Sequence, residues 1–94
     1  AATLLTLRAA WQKGEFDKGG ARFGNEAAIA KLVASEAAMW ITHQAVQIHG
    51  GNGVTTEFLV EKLAREAIIA PIPEGTTQIQ QLIIGRALTG VPAF

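Results

Sequence analysis

Cysteine is absent from this chain of 94 residues. Disulfides, thiol catalysis and cysteine metal sites are thereby excluded, and the absence fits a reducing compartment. Net charge is missing too. Eight basic residues balance eight acidic ones, which leaves no electrostatic signature for nucleic acid or an anionic membrane. No uninterrupted apolar run reaches the roughly 18 residues of a membrane-crossing helix. The basic start, apolar stretch and small-residue cleavage site of a signal peptide are not found. Repeats, low-complexity tracts and convincing strand patterns are also lacking. The length fits one small domain, or part of one, and a unit of this size leaves much of its surface exposed.

Four helical segments separate at glycine and proline signals. The first is predicted over about Ala2–Lys13, with Leu4, Leu7 and Trp11 on one stripe. Gly14, Gly19-Gly20 and Gly24 mark a polar connection. Asn25 is the expected N-cap of a long second helix, with Glu26 complementing its dipole. That helix runs to His49, roughly 25 residues or ~37 Å at the standard rise. Ile29, Leu32, Val33, Trp40, His43 and Gln47 lie towards one side, and an alanine-rich set towards another. Two apolar sides suit a central helix with several close neighbours.

Gly50-Gly51-Asn52-Gly53 should stop the second helix. Thr55 or Thr56 can cap a third, whose stripe is Phe58, Leu59, Leu63 and Ala67. Glu61 and Arg65 have the favourable i,i+4 orientation on it. Pro71 disfavours a helical Ala70, so this helix ends by Ile69. The fourth spans about Thr77–Leu88, burying Ile79, Leu82, Ile83 and Ala87, before Gly90 and Pro92. The expected fold class is all-α, an up-and-down helical bundle of about four helices.

Glu74 lies between Pro73 and Gly75, just ahead of the fourth helix. Gly75 permits close backbone approach. Thr76 or Thr77 can cap the helix, and Thr77 with Gln80 has capping-box spacing. A loop-held carboxylate near a helix N-terminus has the parts of a proton-abstracting site. A solvated loop glutamate is the other reading, and the residues alone leave both open.

The glycine loop is no dinucleotide fingerprint: position 56 is Thr56 instead of glycine, and the loop follows a helix instead of a strand. A helix C-cap explains it; a backbone surface approached by a phosphate or another chain is the alternative. His43 and His49 stand about 240° apart around a helix, which excludes an i,i+4 metal pair. Glu36 is expected in an internal salt bridge, and Trp11 and Trp40 as packing anchors. No metal site is expected.

Two motifs in order, Gln47-Ile48-His49-Gly50-Gly51-Asn52-Gly53-Val54-Thr55 and Glu74-Gly75-Thr76-x-x-Ile79-Gln80, resemble the C-terminal helical domain of acyl-CoA dehydrogenases. Ala30-Lys31-Leu32-Val33-Ala34-Ser35-Glu36 and Leu82-Ile83-Ile84-Gly85-Arg86-Ala87-Leu88 extend the likeness over nearly the whole chain. The resemblance implies FAD as cofactor and oxidation of an acyl-CoA thioester to its trans-2-enoyl form. By motif match, Glu74 is the base that takes the α-proton, and its backbone N–H binds the thioester carbonyl. Gly75 gives the substrate room. Gln47, Ile48, His49, Gly50 and Gly51 match a stretch that reaches the flavin of a neighbouring subunit, while Thr76, Thr77 and Gln78 match a flavin-contacting stretch. Electrons are expected to pass to an electron-transfer flavoprotein, from a homo-oligomer in bacterial cytoplasm or the mitochondrial matrix. Pro73 replaces a common aromatic residue, Ile68 a common basic one, and Pro71 is unusual; these changes bear on the acyl substrate. Residues 1–94 read as one such domain, truncated at its N-terminal side and inactive alone. The alternative function is a helical self-association module without activity.

Overall fold

A computed structural model describes residues 1–20 and 24–93. It is all-helical among those residues. Helix α1 spans Ala2–Asp17, α2 Gly24–His49, α3 Val60–Ala67 and α4 Thr77–Thr89, with a short 3-10 helix, Gly50–Val54, after α2. The long second helix is the hub: α1, α3 and α4 each pack on it, and they make no helix–helix contact with one another. The expectation of a central helix is borne out. Alanines at its contacts explain how three neighbours fit, since Ala28 is 2% exposed and Ala30 is also buried.

Several boundaries differ from expectation. Gly14 does not end α1, which continues to Asp17. A Lys13–Asp17 ion pair at 2.7 Å spans that turn, offsetting part of glycine's low helix propensity. The stop comes at Gly19, where φ is +91° and the amides of Lys18 and Gly20 turn back onto the Glu15 carbonyl. The remainder of the expected connection, residues 21–23, lies outside the described residues. Asn25 falls inside α2, which starts at Gly24. Its Oδ1 is buried and has no hydrogen-bond partner, so it does not act as the expected cap. Helix α3 is shorter than expected and has no side-chain cap; Leu59 precedes it. Thr55 instead closes the 3-10 helix, its hydroxyl donating to the Asn52 carbonyl at 2.8 Å.

Burial departs further. Trp11 and Trp40 are largely exposed, so neither is a packing anchor within the chain. Ile79, Leu82 and Ala87 of α4 are exposed and Ile83 is half-buried, while the buried position is Gln80. The cause is the hub arrangement: each outer helix meets one neighbour, which covers a strip narrower than its apolar face. On α3 the Glu61–Arg65 pair forms as expected, at 2.8 Å. The Arg65 hydrogen bond holds the Glu61 carboxyl below its ordinary value.

Candidate active-site loop

The segment joining α3 to α4 is short, carries two prolines and turns sharply. Glu74 has φ +53° and is the one non-glycine residue with positive φ among the described residues. Gly75 follows at φ +98°. A residue with a Cβ enters this region at a steric cost, and such outliers persist only where the surroundings enforce them. The enforcement is visible. Lys31 of α2 donates to the Gly75 carbonyl at 2.7 Å and the Ala70 carbonyl at 3.4 Å. Gln80 of α4 donates to the same Gly75 carbonyl at 3.2 Å and to the Glu74 carbonyl at 3.5 Å. The Thr77 amide closes the loop onto the Pro71 carbonyl at 3.1 Å.

Thr76, and not Thr77, is the N-cap of α4, its hydroxyl accepting from the Ile79 amide at 3.3 Å. The expected Thr77–Gln80 capping box is not formed, because the Gln80 carboxamide is engaged with the loop carbonyls. Glycine at position 75 also has a reason the sequence did not supply: an added Cβ would collide with Gln80 Nε2. Glu74 is exposed. Neither its carboxylate nor the backbone N–H of Glu74 or Gly75 has a hydrogen-bonding partner among the described residues. The loop therefore presents an exposed carboxylate and two unused donors on a pinned backbone.

The second expected group sits elsewhere. His49 is held by its Nδ1 against the Ala45 carbonyl at 2.8 Å and by an edge contact with Phe58, ring centroids 5.8 Å apart. Gly50 has φ +60°, and an added Cβ at Gly50 or Gly51 would meet nothing within 4 Å. Gln47, Ile48, His49, Gly50 and Gly51 are all exposed. Buried Gly53 is different: a Cβ there would collide with the Val46 carbonyl. Lys31, which touches the Glu74 loop, precedes Gly50 by 19 positions of sequence, roughly 28 Å along the α2 axis. Between them along α2 lies His43, which lines a groove with Thr77 and Gln78 at the start of α4.

An open groove of about 700 Å³ lies between α2, α3 and the start of α4, with Trp40, His43, Arg65, Thr77 and Gln78 among its lining residues. Glu36 also lines it, exposed and without the expected salt bridge among the described residues. The side chains of Gln47, Thr77 and Gln78 have no hydrogen-bond partner within the described residues. Free amides and a hydroxyl of this kind fit the polar groups of a flavin nucleotide, as does the unobstructed backbone of Gly50 and Gly51. No group of three or more metal-ligating side chains occurs among the described residues, and none of the described helices is long and apolar enough to cross a membrane.

The model of the acyl-CoA dehydrogenase C-terminal domain matches residues 1–89, and the chain belongs to that family. A probable acyl-CoA dehydrogenase of Bacillus subtilis is 46% identical over 87 residues, 93% of this chain and 22% of that protein. The human mitochondrial short-chain specific acyl-CoA dehydrogenase is 52% identical over 83 residues, 88% of this chain and 19% of that protein. A chain in the solved structure of the electron transferring flavoprotein of Acidaminococcus fermentans superimposes with a TM-score of 0.84. It is 40% identical, with 94% of this chain and 22% of that one covered. The chain thus spans about a fifth of the length of these curated relatives.

The contacts of Lys31 and Gln80 with the loop carbonyls are what sequence reasoning missed. Both stood within quoted motifs; the Lys31 contact joins residues 44 positions apart and has no signature in local spacing, while Gln80, five positions from Gly75, has spacing that equally suits a capping box.

Proposed function

We propose that this chain supplies Glu74 as the general base of a flavin-dependent acyl-CoA dehydrogenase, with residues 1–94 forming one C-terminal helical domain of it. The observation that carries this reading is the pinned, left-handed Glu74, whose carboxylate and backbone N–H are both unengaged. A carboxylate held in place can take the α-proton of a thioester once the substrate is within hydrogen-bond reach. The Glu74 N–H, aimed at the thioester carbonyl, stabilises the enolate that proton removal generates. Gly75 keeps the neighbouring space clear. Thr76, Thr77 and Gln78 from one loop, and Gln47, Ile48, His49, Gly50 and Gly51 from the other, are the residues that would hold FAD. When bound, FAD supplies the acceptor for the β-hydride, and an electron-transfer flavoprotein receives the electrons onward. The relatives' names support the reaction class. Bacterial and mitochondrial relatives are compatible with cytoplasm or mitochondrial matrix respectively.

The test is Glu74→Gln in the dehydrogenase polypeptide containing these residues, mixed anaerobically with acyl-CoA and followed by flavin bleaching. Glutamine preserves volume and the backbone N–H and removes the proton acceptor. Bleaching is expected to slow by ~10²–10⁴ with flavin still bound. Bleaching near the wild-type rate would assign the base to another part of the polypeptide. A second reading, a helical self-association module without activity, is favoured by one observation: Trp40, Ile41 and Ile48 of α2 are exposed.

A further inference from the structure

We infer that Lys31 and Gln80 are positioning residues for Glu74, setting its carboxylate and N–H by gripping the Gly75 carbonyl from two helices. The inference rests on the reading of Glu74 as the base, but its geometry stands independently. Lys31 reaches the carbonyls of Ala70 and Gly75, which bracket the segment 71–74. A single ammonium therefore ties the end of α3 to the start of α4. Gln80 completes the grip from α4, donating to the Gly75 and Glu74 carbonyls. The peptide units either side of Gly75 are thus held, and with the Ala70 carbonyl anchored at the other end of the segment, the turn that gives Glu74 its positive φ is closed between two fixed points.

The chemistry of the two donors suits the task. Lys31 is half-buried and Gln80 is 6% exposed, so water competes poorly for either bond. A charged donor makes a stronger hydrogen bond than a neutral one. An apolar side chain at position 31 could fill the same space beside α3 and α4 without controlling the loop. What lysine adds is direction: it selects a loop conformation in which the Ala70 and Gly75 carbonyls point inward to α2. The Glu74 carboxylate and the N–H groups of Glu74 and Gly75 are left without partners among the described residues, and Glu74 is exposed. Gln80 sits one turn beyond the Thr76 cap, so the first turn of α4 places its side chain within reach of the loop carbonyls.

The experiment uses the 94-residue chain itself, with nuclear magnetic resonance on wild type, Lys31→Met, Lys31→Arg and Gln80→Met. Two signals are read: the Glu74 HN–Hα coupling and backbone shifts that report its positive φ, and exchange of the Thr77 amide. In Lys31→Met, and in Gln80→Met, the positive-φ signature is expected to be lost and Thr77 exchange to rise ~10-fold, in keeping with loss of a hydrogen bond of this kind. Lys31→Arg, which retains charge and donors, should keep both signals. Unchanged signals in Lys31→Met would overturn the inference. So would loss of protection across α1 and α2, which would make Lys31 a contact of general stability. Because neither signal involves the reaction, failure of Glu74→Gln to slow bleaching would remove the base assignment and leave this result standing.

Discussion

Gln80 Nε2 lies 3.2 Å from the Gly75 carbonyl, in the space that a side chain at position 75 would have to enter. The absence of a Cβ and the presence of the carboxamide are one device. Gly75→Ala would displace Gln80 and also force alanine to φ +98°. The expected loss of stability is about 1–3 kcal/mol, measurable by urea or thermal unfolding. A variant as stable as wild type would show that the loop relaxes freely.

Thr76 caps α4 through one side-chain bond, at 3.3 Å to the Ile79 amide. Removing it in Thr76→Ala should cost about 0.5–1 kcal/mol, towards the lower end of measured caps because the bond is long. Thr76→Ser should restore most of the loss. An equal loss in Thr76→Ser would point to the threonine methyl group instead of the cap.

The fold was legible where local rules govern. Apolar periodicity located all four helices, Gly50 and Gly90 marked real stops, and the last helix was expected to begin at the observed Thr77. Gly14 misled because a glycine in a helix interior is tolerated when side chains on either side pair across it. Gln80 misled differently: its spacing from Thr77 suits a capping box, but the carbonyls of a left-handed turn compete for the same amide. Trp11 and Trp40 were expected inside because they lie on apolar stripes; periodicity locates a face but not the neighbour that covers it. At the candidate site, the position of Glu74 before a helix start was legible. Its positive φ and its attachment to Lys31 were not, since both depend on packing between distant segments.

Glu74 itself should be a poor choice for stability. Its φ of +53° is one that asparagine adopts more readily, because a short polar side chain can bond locally. Glu74→Asn is therefore expected to stabilise the chain by about 0.5–1 kcal/mol. In the dehydrogenase polypeptide the same change should abolish proton removal, a trade expected where strain is kept for function. Denaturant midpoints of the two chains give the first answer, and a lower midpoint for the variant would argue against strain at this residue.

Self-association of the isolated chain is expected from what α1 and α2 leave uncovered. Leu4, Leu7, Trp11, Trp40, Ile41 and Ile48 are all exposed. The radius of gyration is 16.5 Å, against about 12 Å for a compact domain of this length. Large exposed apolar surface commonly marks an interface, and two-fold dimers are the commonest closed solution. Sedimentation over a wide concentration range should show a rising mass. A monomer at every concentration would mean that these side chains are tolerated in water.

Flavin binding by the isolated chain should be weak or absent, for a geometric reason. The two sets of residues assigned to FAD do not share one cavity: Thr77 and Gln78 line a groove whose lining includes His43 but none of the residues 47–51. Each set alone offers few polar groups. Gln47, Thr77 and Gln78 are free to bond, but the groove beside Thr77 and Gln78 is open to solvent, so water competes there. Small-molecule sites that bind tightly bury most of their ligand, and neither stretch does so in one chain. Equilibrium dialysis of the 94-residue chain against FAD should therefore detect no stoichiometric binding at low micromolar ligand. Dialysis repeated at concentrations where the chain self-associates separates two causes. Binding that rises with assembly would place the two sets of residues on different copies. Tight binding at concentrations where the chain is monomeric would show that one set is sufficient, and would overturn the division of the flavin residues between two sites.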